Sequence, residues 1–197
     1  MRREASIKRS TGETAVGVIL IIEGEGNAEI RTGIGFLDHM LTLFASHGGF
    51  DLGVQCRGDL RVDGHHSVED IGIALGKAFS EALEERRGIC RYGSFLLPMD
   101  EALVLCALDL SGRAHLSFDV TLPAARLGDF DTELTKEFLL AFCRSLGLTL
   151  HLRQLAGENT HHIIEAVFKA LGRALKAACA IDPQKADRIP STKGTLI

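Results

Sequence analysis

Apolar and polar positions alternate, with many β-branched residues, over Ala5–Ser10, Thr14–Ile22, Ala28–Thr32 and Leu52–Leu60, so these segments are predicted as strands. Between the third and fourth the period changes. Phe36, Met40, Leu43 and Phe44 recur at helical spacing, which predicts a helix over Phe36–Ser46 that stops at Gly48-Gly49. A longer helix is expected from Ser67 to Glu85, with Ile71, Leu75, Ala78 and Leu83 broadly on one side, ending near Gly88. The second half follows the same order, with strands expected at Glu101–Leu110, Ala114–Thr121 and Leu148–Leu155 and helices at Glu133–Leu146 and His161–Ala180.

The two halves also match residue by residue. Shifted by 96 positions, His65-His66-Ser67-Val68-Glu69 lies over His161-His162-Ile163-Ile164-Glu165, and Ala74-Leu75-Gly76 over Ala170-Leu171-Gly172. With Ala78 over Ala174 and Ala82 over Ala178, eight of eighteen positions are identical, the rare His-His pair among them. The chain therefore reads as two pseudo-symmetric copies, about 2–87 and 91–182, of a β-rich unit with two helices. The expected fold is one α+β body with helices packed on one face of the sheets. The short link, Arg87 to Gly93, argues for a single domain over 1–197.

Composition narrows the function. Hydrophobic residues make up 46% and charged residues 24%, enough for a sizeable core, and the net charge of −4 with no basic block gives no support to nucleic-acid binding. Val16–Ile22, the longest apolar run, is far too short to span a bilayer, and no signal peptide is visible, so a cytoplasmic protein is expected. The five cysteines are scattered singly, without Cys-x-x-Cys spacing, and read as buried hydrophobes rather than a disulfide framework or zinc ribbon.

The unusual residue is histidine. In His-His-x-x-Glu at a helix start, the first histidine and the glutamate, four apart, stack on one face, while the second histidine is turned by roughly 100°. Two copies supply four imidazoles (His65, His66, His161, His162) and two carboxylates (Glu69, Glu165), enough for two metal sites that exchange ligands between halves. Imidazole and carboxylate without thiolate suit manganese, iron, zinc or a similar divalent ion. Alone, His39 reads as an ordinary helix residue, as does Glu137, its counterpart 98 positions on. His47, beside Gly48-Gly49, is a candidate substrate contact, whereas His115 and His151 sit in strand-like runs and read as structural.

These segments resemble imidazoleglycerol-phosphate dehydratases over essentially the full length. The matching stretches are Thr11–Thr14, Gly35–Leu41 with Ala45–Gly48, Asp63–Asp70, Gly88–Gly93, Asp109–Arg113, Gly157–Glu165 and Ile189–Gly194. The resemblance implies a duplicated β-β-α-β-α unit, a homo-oligomeric shell of 24 subunits with active sites between them, and two Mn2+ ions per subunit. One ion would be held by His39, His66, His161 and Glu165, the other by His65, Glu69, Glu137 and His162. Relatives usually carry histidine where this chain has Glu137.

The implied reaction removes water from imidazoleglycerol phosphate, a small phosphorylated imidazole, giving imidazoleacetol phosphate. The hydrogen lost is on an unactivated carbon, so metals bridging the ring nitrogens would favour the imidazolate, whose electrons expel the hydroxyl. The resulting diazafulvene carries an acidified C–H within reach of an ordinary carboxylate. The resemblance points to Glu13 as that acid/base, with Glu69 and Glu165 also catalytic. It places Glu13, His39, His47, His65, Glu69, Arg91, Arg113, His161, Lys169, Ser191 and Lys193 around the substrate, the last two in a C-terminal tail, 183–197. Arg91, Arg113 and Lys193 would clamp the phosphate. No glycine-rich phosphate loop is present, and Gly24-Glu25-Gly26 reads as a hairpin turn. The competing readings are a non-catalytic metal-binding shell and a dinuclear metal hydrolase. The shell does not account for Glu13, Arg91, Arg113 and Lys193 in their motifs, and a hydrolase would be expected to bridge its ions with several aspartates, whereas Asp38, Asp63 and Asp70 only flank the histidines.

Overall fold

The computed structural model describes residues 3–196; Arg2 of the first expected copy and Ile197 of the expected tail lie outside the described residues, as does Met1. The chain runs β1 (Glu4–Ser10), β2 (Thr14–Ile21), β3 (Ala28–Arg31), α1 (Gly35–Gly48), β4 (Asp51–Gly58) and α2 (His65–Leu83). It continues β5 (Tyr92–Met99), β6 (Ala102–Asp109), β7 (His115–Asp119), β8 (Arg126–Leu127), β9 (Phe130–Asp131), α3 (Leu134–Leu146), β10 (Thr149–Ala156) and α4 (Thr160–Cys179). Two four-stranded sheets result, ordered β1-β2-β4-β3 and β5-β6-β10-β7. In each, the third strand of its half runs parallel to its neighbour and the other pairs are antiparallel. The duplicated α+β fold thus stands, with one strand more in each four-stranded sheet than a β-β-α-β-α unit supplies and a short β8–β9 hairpin added in the second copy.

The strand that pattern reading misses in the second copy is β5. It is an edge strand whose exposed Phe95 and Leu96 obscure any period of two, and Pro98 lowers its strand propensity further. The β8–β9 hairpin is too short to leave a period at all. A second correction concerns Gly24–Gly26. Because β2 pairs with β1 and β4 but not β3, these residues form a crossover rather than a hairpin turn, held by Asp51 Oδ1, which accepts from Glu25 N (2.9 Å) and Asn27 N (3.0 Å). Four of the five cysteines are buried as expected, while Cys90 is exposed in the link.

Each sheet lays its alternating apolar face on helices: β2 buries Val16, Val18 and Leu20 beneath α2, and β6 buries Val104 and Cys106 beneath α4. The helices then pair across the duplication, α1 against α4 and α2 against α3. Phe44, Phe50, Phe79 and Phe142 meet at this centre, with ring centroids 5.1–6.4 Å apart and mostly edge-on.

The duplicated glycines explain how closely the helices approach. A Cβ on Gly172 would sit 2.6 Å from the Phe44 carbonyl oxygen, and one on Gly76 would sit 2.7 Å from that of Phe142. The two carbonyls are 98 positions apart, the offset that pairs His39 with Glu137, and the left-handed caps Gly49 and Gly147 keep the same offset. The link is stitched to the second half. Arg91 N donates to Ala178 O (2.9 Å), and the buried Arg86 guanidinium donates to the carbonyls of Leu110 and Leu146.

Gly172→Ala should therefore push α1 off α4 and destabilise the fold by about 1–3 kcal/mol. Gly17→Ala, with nothing within 4 Å of the added atom, should be near neutral. Chemical denaturation of both variants checks this; equal midpoints would show that the helix contact is not tight.

Candidate metal centre

Each His-His pair occupies the first turn of its helix, where backbone N–H groups lack intrahelical partners. Asp63 Oδ1 accepts from His65 N (2.8 Å) and Asn159 Oδ1 accepts from His161 N (2.9 Å). The two acceptors are themselves related by the 96-residue shift. In both copies the adjacent imidazole rings stand 6.2 Å apart and nearly perpendicular, at 86° and 81°. The first and second histidines of each pair therefore face different surroundings.

His161 turns toward α1. Its Nε2 and that of His39 reach the same oxygen, Glu165 Oε1, at 3.2 and 2.7 Å, and the three ligand atoms lie within 4.8 Å of one another. The loop before α1 sets His39: Asp38 Oδ1 accepts from Thr32 N (2.9 Å) and from the Thr32 hydroxyl. Glu165 is only 6% exposed, and Lys169 Nζ donates to its other oxygen at 2.7 Å. Burial works against its ionisation, but Lys169, His39 and His161 outweigh it and hold the carboxyl at about 2. His47 lies in the same neighbourhood. Burial, then the charges of Lys169 and Arg173, push its imidazole down.

The cluster opens into a cleft of about 480 Å³ walled by Phe36 and by Leu127, Gly128, Asp129 and Phe130 of the β8–β9 hairpin. Phe36 packs on Phe130 (5.1 Å) and edge-on against His161 (5.2 Å). Pattern reading had no access to this wall, because a hairpin with two-residue strands carries no periodicity.

Among the described residues, His39, His161 and Glu165 are the only group of three or more such ligands drawn together. The mirror set, His65, Glu69 and Glu137, does not converge, although α2 packs on α3. The charges differ between the two: Lys169, beside Glu165, has Ile73 as its counterpart on α2, so Glu69 lacks that cation. His66 is not in the cluster either. Its Nδ1 meets Asp59 (3.0 Å), and its Nε2 lies 3.7 Å from Glu13 on the exposed β1–β2 turn. His162 meets Glu101 through Nδ1 at 2.7 Å.

Within the chain the Arg91 guanidinium is engaged by protein groups. It grips Asp109 with two bonds (2.7 and 3.0 Å), stacks over Tyr92 at 4.8 Å and donates to the Pro190 carbonyl at 2.8 Å. Its bond to Asp109 raises the guanidinium's affinity for its proton. Arg91 thereby holds the tail in which Ser191 Oγ accepts from Lys193 N (3.2 Å). Arg113 and Lys193 are exposed, and their side chains form no ion pair among the described residues.

A duplicated α+β body whose helix pairs bring two imidazoles and a buried carboxylate to one point offers the donor set of a candidate divalent-cation site. Comparison with known proteins narrows this reading. The sequence profile of imidazoleglycerol-phosphate dehydratase matches residues 32–175. The chain is 55% identical over 194 residues to the imidazoleglycerol-phosphate dehydratase of Prochlorococcus marinus strain AS9601, covering 98% of this chain and 96% of the relative. It is 54% identical over 196 residues to that of Desulforamulus reducens, covering both chains in full. It superposes on the crystal structure of the Staphylococcus aureus enzyme with a TM-score of 0.82 at 39% identity, over 91% of this chain and 99% of that one. Against the structure from Pyrococcus furiosus in complex with (S)-C348 the TM-score is 0.83 at 42% identity, over 96% and 100%. The chain belongs to the imidazoleglycerol-phosphate dehydratase family.

Loss of the Arg91 contacts should free the tail. In Arg91→Ala, tryptic cleavage after Lys185 and Arg188 should speed up several-fold at unchanged helix content. An unchanged cleavage rate would show that the tail is held by other contacts.

Proposed function

We propose that this protein is a metal-dependent lyase that dehydrates imidazoleglycerol phosphate to imidazoleacetol phosphate in histidine biosynthesis, and that it works in the cytoplasm. The observation that carries this reading is the convergence of His39 and His161 on the buried Glu165, in a chain of this family. Two imidazoles and a carboxylate fit a hard-to-borderline divalent ion such as manganese. His39, His161 and Glu165 would hold one ion with His66, and His65, Glu69, Glu137 and His162 a second; when bound, the ions supply Lewis acidity toward the substrate's ring. Because His66 stands apart from the cluster within one chain, we infer that neighbouring copies complete each site in a homo-oligomer, taken from the resemblance as 24 subunits.

The remaining groups bind the substrate or move protons. Glu13 stands on a turn whose Thr11 Oγ1 accepts from Glu13 N (3.1 Å) and Thr14 N (3.0 Å). Thr14 donates in turn to the buried Asp70, which also accepts from Arg9 Nε at 2.9 Å. The turn is anchored at its base while the Glu13 carboxylate stays exposed beside His66, as a group exchanging a carbon-bound proton with substrate requires. Lys169 and His47 flank the ligand cluster from α4 and α1. The tail held by Arg91 would bring Ser191 and Lys193, with Arg113, to the phosphate.

Assay of water loss from imidazoleglycerol phosphate tests the reading directly. Stripping the metal should abolish activity and shrink the particle, both reversibly on adding manganese, since ligands shared between copies link binding to assembly. Glu13→Gln should lose turnover with normal metal content and substrate binding. Full activity in a metal-free sample, checked by elemental analysis, would sink the proposal.

Glu137 carries a separate expectation. An anionic oxygen ligand should favour manganese over softer ions relative to histidine. Glu137→Ala should weaken one of two metal sites and spare the other, and Glu137→His should restore it with a shift toward softer metals. Two ions held with unchanged affinity in Glu137→Ala would make it an ordinary helix residue.

A further inference from the structure

The second histidine of each pair is held in the same way by unrelated residues. His66 Nδ1 lies 3.2 and 3.0 Å from the two oxygens of Asp59, just beyond the end of β4. His162 Nδ1 lies 2.7 Å from Glu101 Oε2, on the β5–β6 turn. An ionised carboxylate can only accept, so in each neutral ring Nδ1 carries the proton and Nε2 keeps its lone pair. Those Nε2 atoms are not captured: Glu13 and Asp100, the nearest acids, each stand 3.7 Å away. Glu101 is itself fixed, since its other oxygen accepts from Glu158 N (3.3 Å) and Asn159 N (2.9 Å) at the entrance to α4.

The duplication makes the arrangement more informative. Glu13 immediately precedes β2 and Glu101 immediately precedes β6, so the two glutamates are counterparts in the two copies. In the second copy that glutamate orients the histidine. In the first copy Asp59 does so from a different strand end, and Glu13 is left exposed.

We propose that Asp59 and Glu101 are positioning residues that fix the tautomer and ring direction of His66 and His162 so that each presents Nε2 to a divalent cation, and that Asp59 thereby releases Glu13 from the orienting task its counterpart performs. This rests on the reading of His66 and His162 as metal ligands. Carboxylates behind ligating imidazoles raise ligand basicity and remove the cost of selecting one tautomer, an effect worth about 10–100-fold in metal affinity.

The test titrates Mn2+ into metal-stripped full-length protein and reads free manganese by electron paramagnetic resonance. Wild type should show two sites per chain. Asp59→Ala should weaken one site about 10–100-fold and leave the other, Glu101→Ala the reverse, and the double variant should weaken both. Asp59→Asn and Glu101→Gln, whose amides accept more weakly than a carboxylate and can also donate to Nδ1, should recover only part of the loss. A merely structural role would instead lower the metal-free unfolding midpoint and weaken both sites in each single variant, which overturns the proposal. Wild-type isotherms in both alanine variants overturn it while leaving the metal reading intact. A wild type that takes up no manganese overturns both.

Discussion

At Gly172, helix α4 runs so close to α1 that only a hydrogen fits between its Cα and the Phe44 carbonyl, and Gly76 of α2 makes the matching approach to α3 at Phe142. The site depends on this contact. His39 belongs to the first copy of the duplicated unit, His161 and Glu165 to the second, and neither copy alone supplies all three. Since helix pairs in close contact have few ways to slide, the three ligand atoms converge because the backbones do. The phenylalanine cluster fills the space around the crossing, and the two sheets close over it by their buried faces.

What the sequence disclosed followed from how each feature leaves a trace. The His-His-x-x-Glu copies and their helical setting were legible because duplication prints them twice at one offset; Asp63 and Asn159, whose bonds to the first turns only the structure shows, keep the same offset although they are different residues. The offset of 98 between His39 and Glu137 was legible too, and the Phe44 and Phe142 contacts show its origin in the packing of α1 and α3. By contrast β5, an edge strand with apolar side chains facing outward, carries no amphipathic signal. The crossover at Gly24–Gly26 looked like a hairpin because local turn chemistry says nothing about which strand lies next in the sheet.

Contacts between distant residues left no trace either. Nothing local links Glu101 to His162, sixty-one positions on, and the grip of Arg91 on Asp109 and Pro190 spans eighteen and ninety-nine positions. A cation in a motif suggests an anionic substrate. Only the fold shows that this one is paired with a carboxylate and gives a further donor to the tail.

The asymmetry between the two ligand sets follows from one residue pair. On α4, Lys169 stands one turn beyond Glu165 and offsets its charge, so the carboxylate tolerates burial and accepts from two imidazoles without a metal. On α2 the same place holds Ile73, and the counterpart of His39 on α3 is Glu137 instead of a histidine. Two carboxylates repel when brought together without a positive charge beside them. The first set can therefore preassemble from protein charges alone, whereas the second stays open within the chain. The duplicated backbone repeats the arrangement, and the side chains at two positions give one copy a balancing lysine and leave the other copy without it.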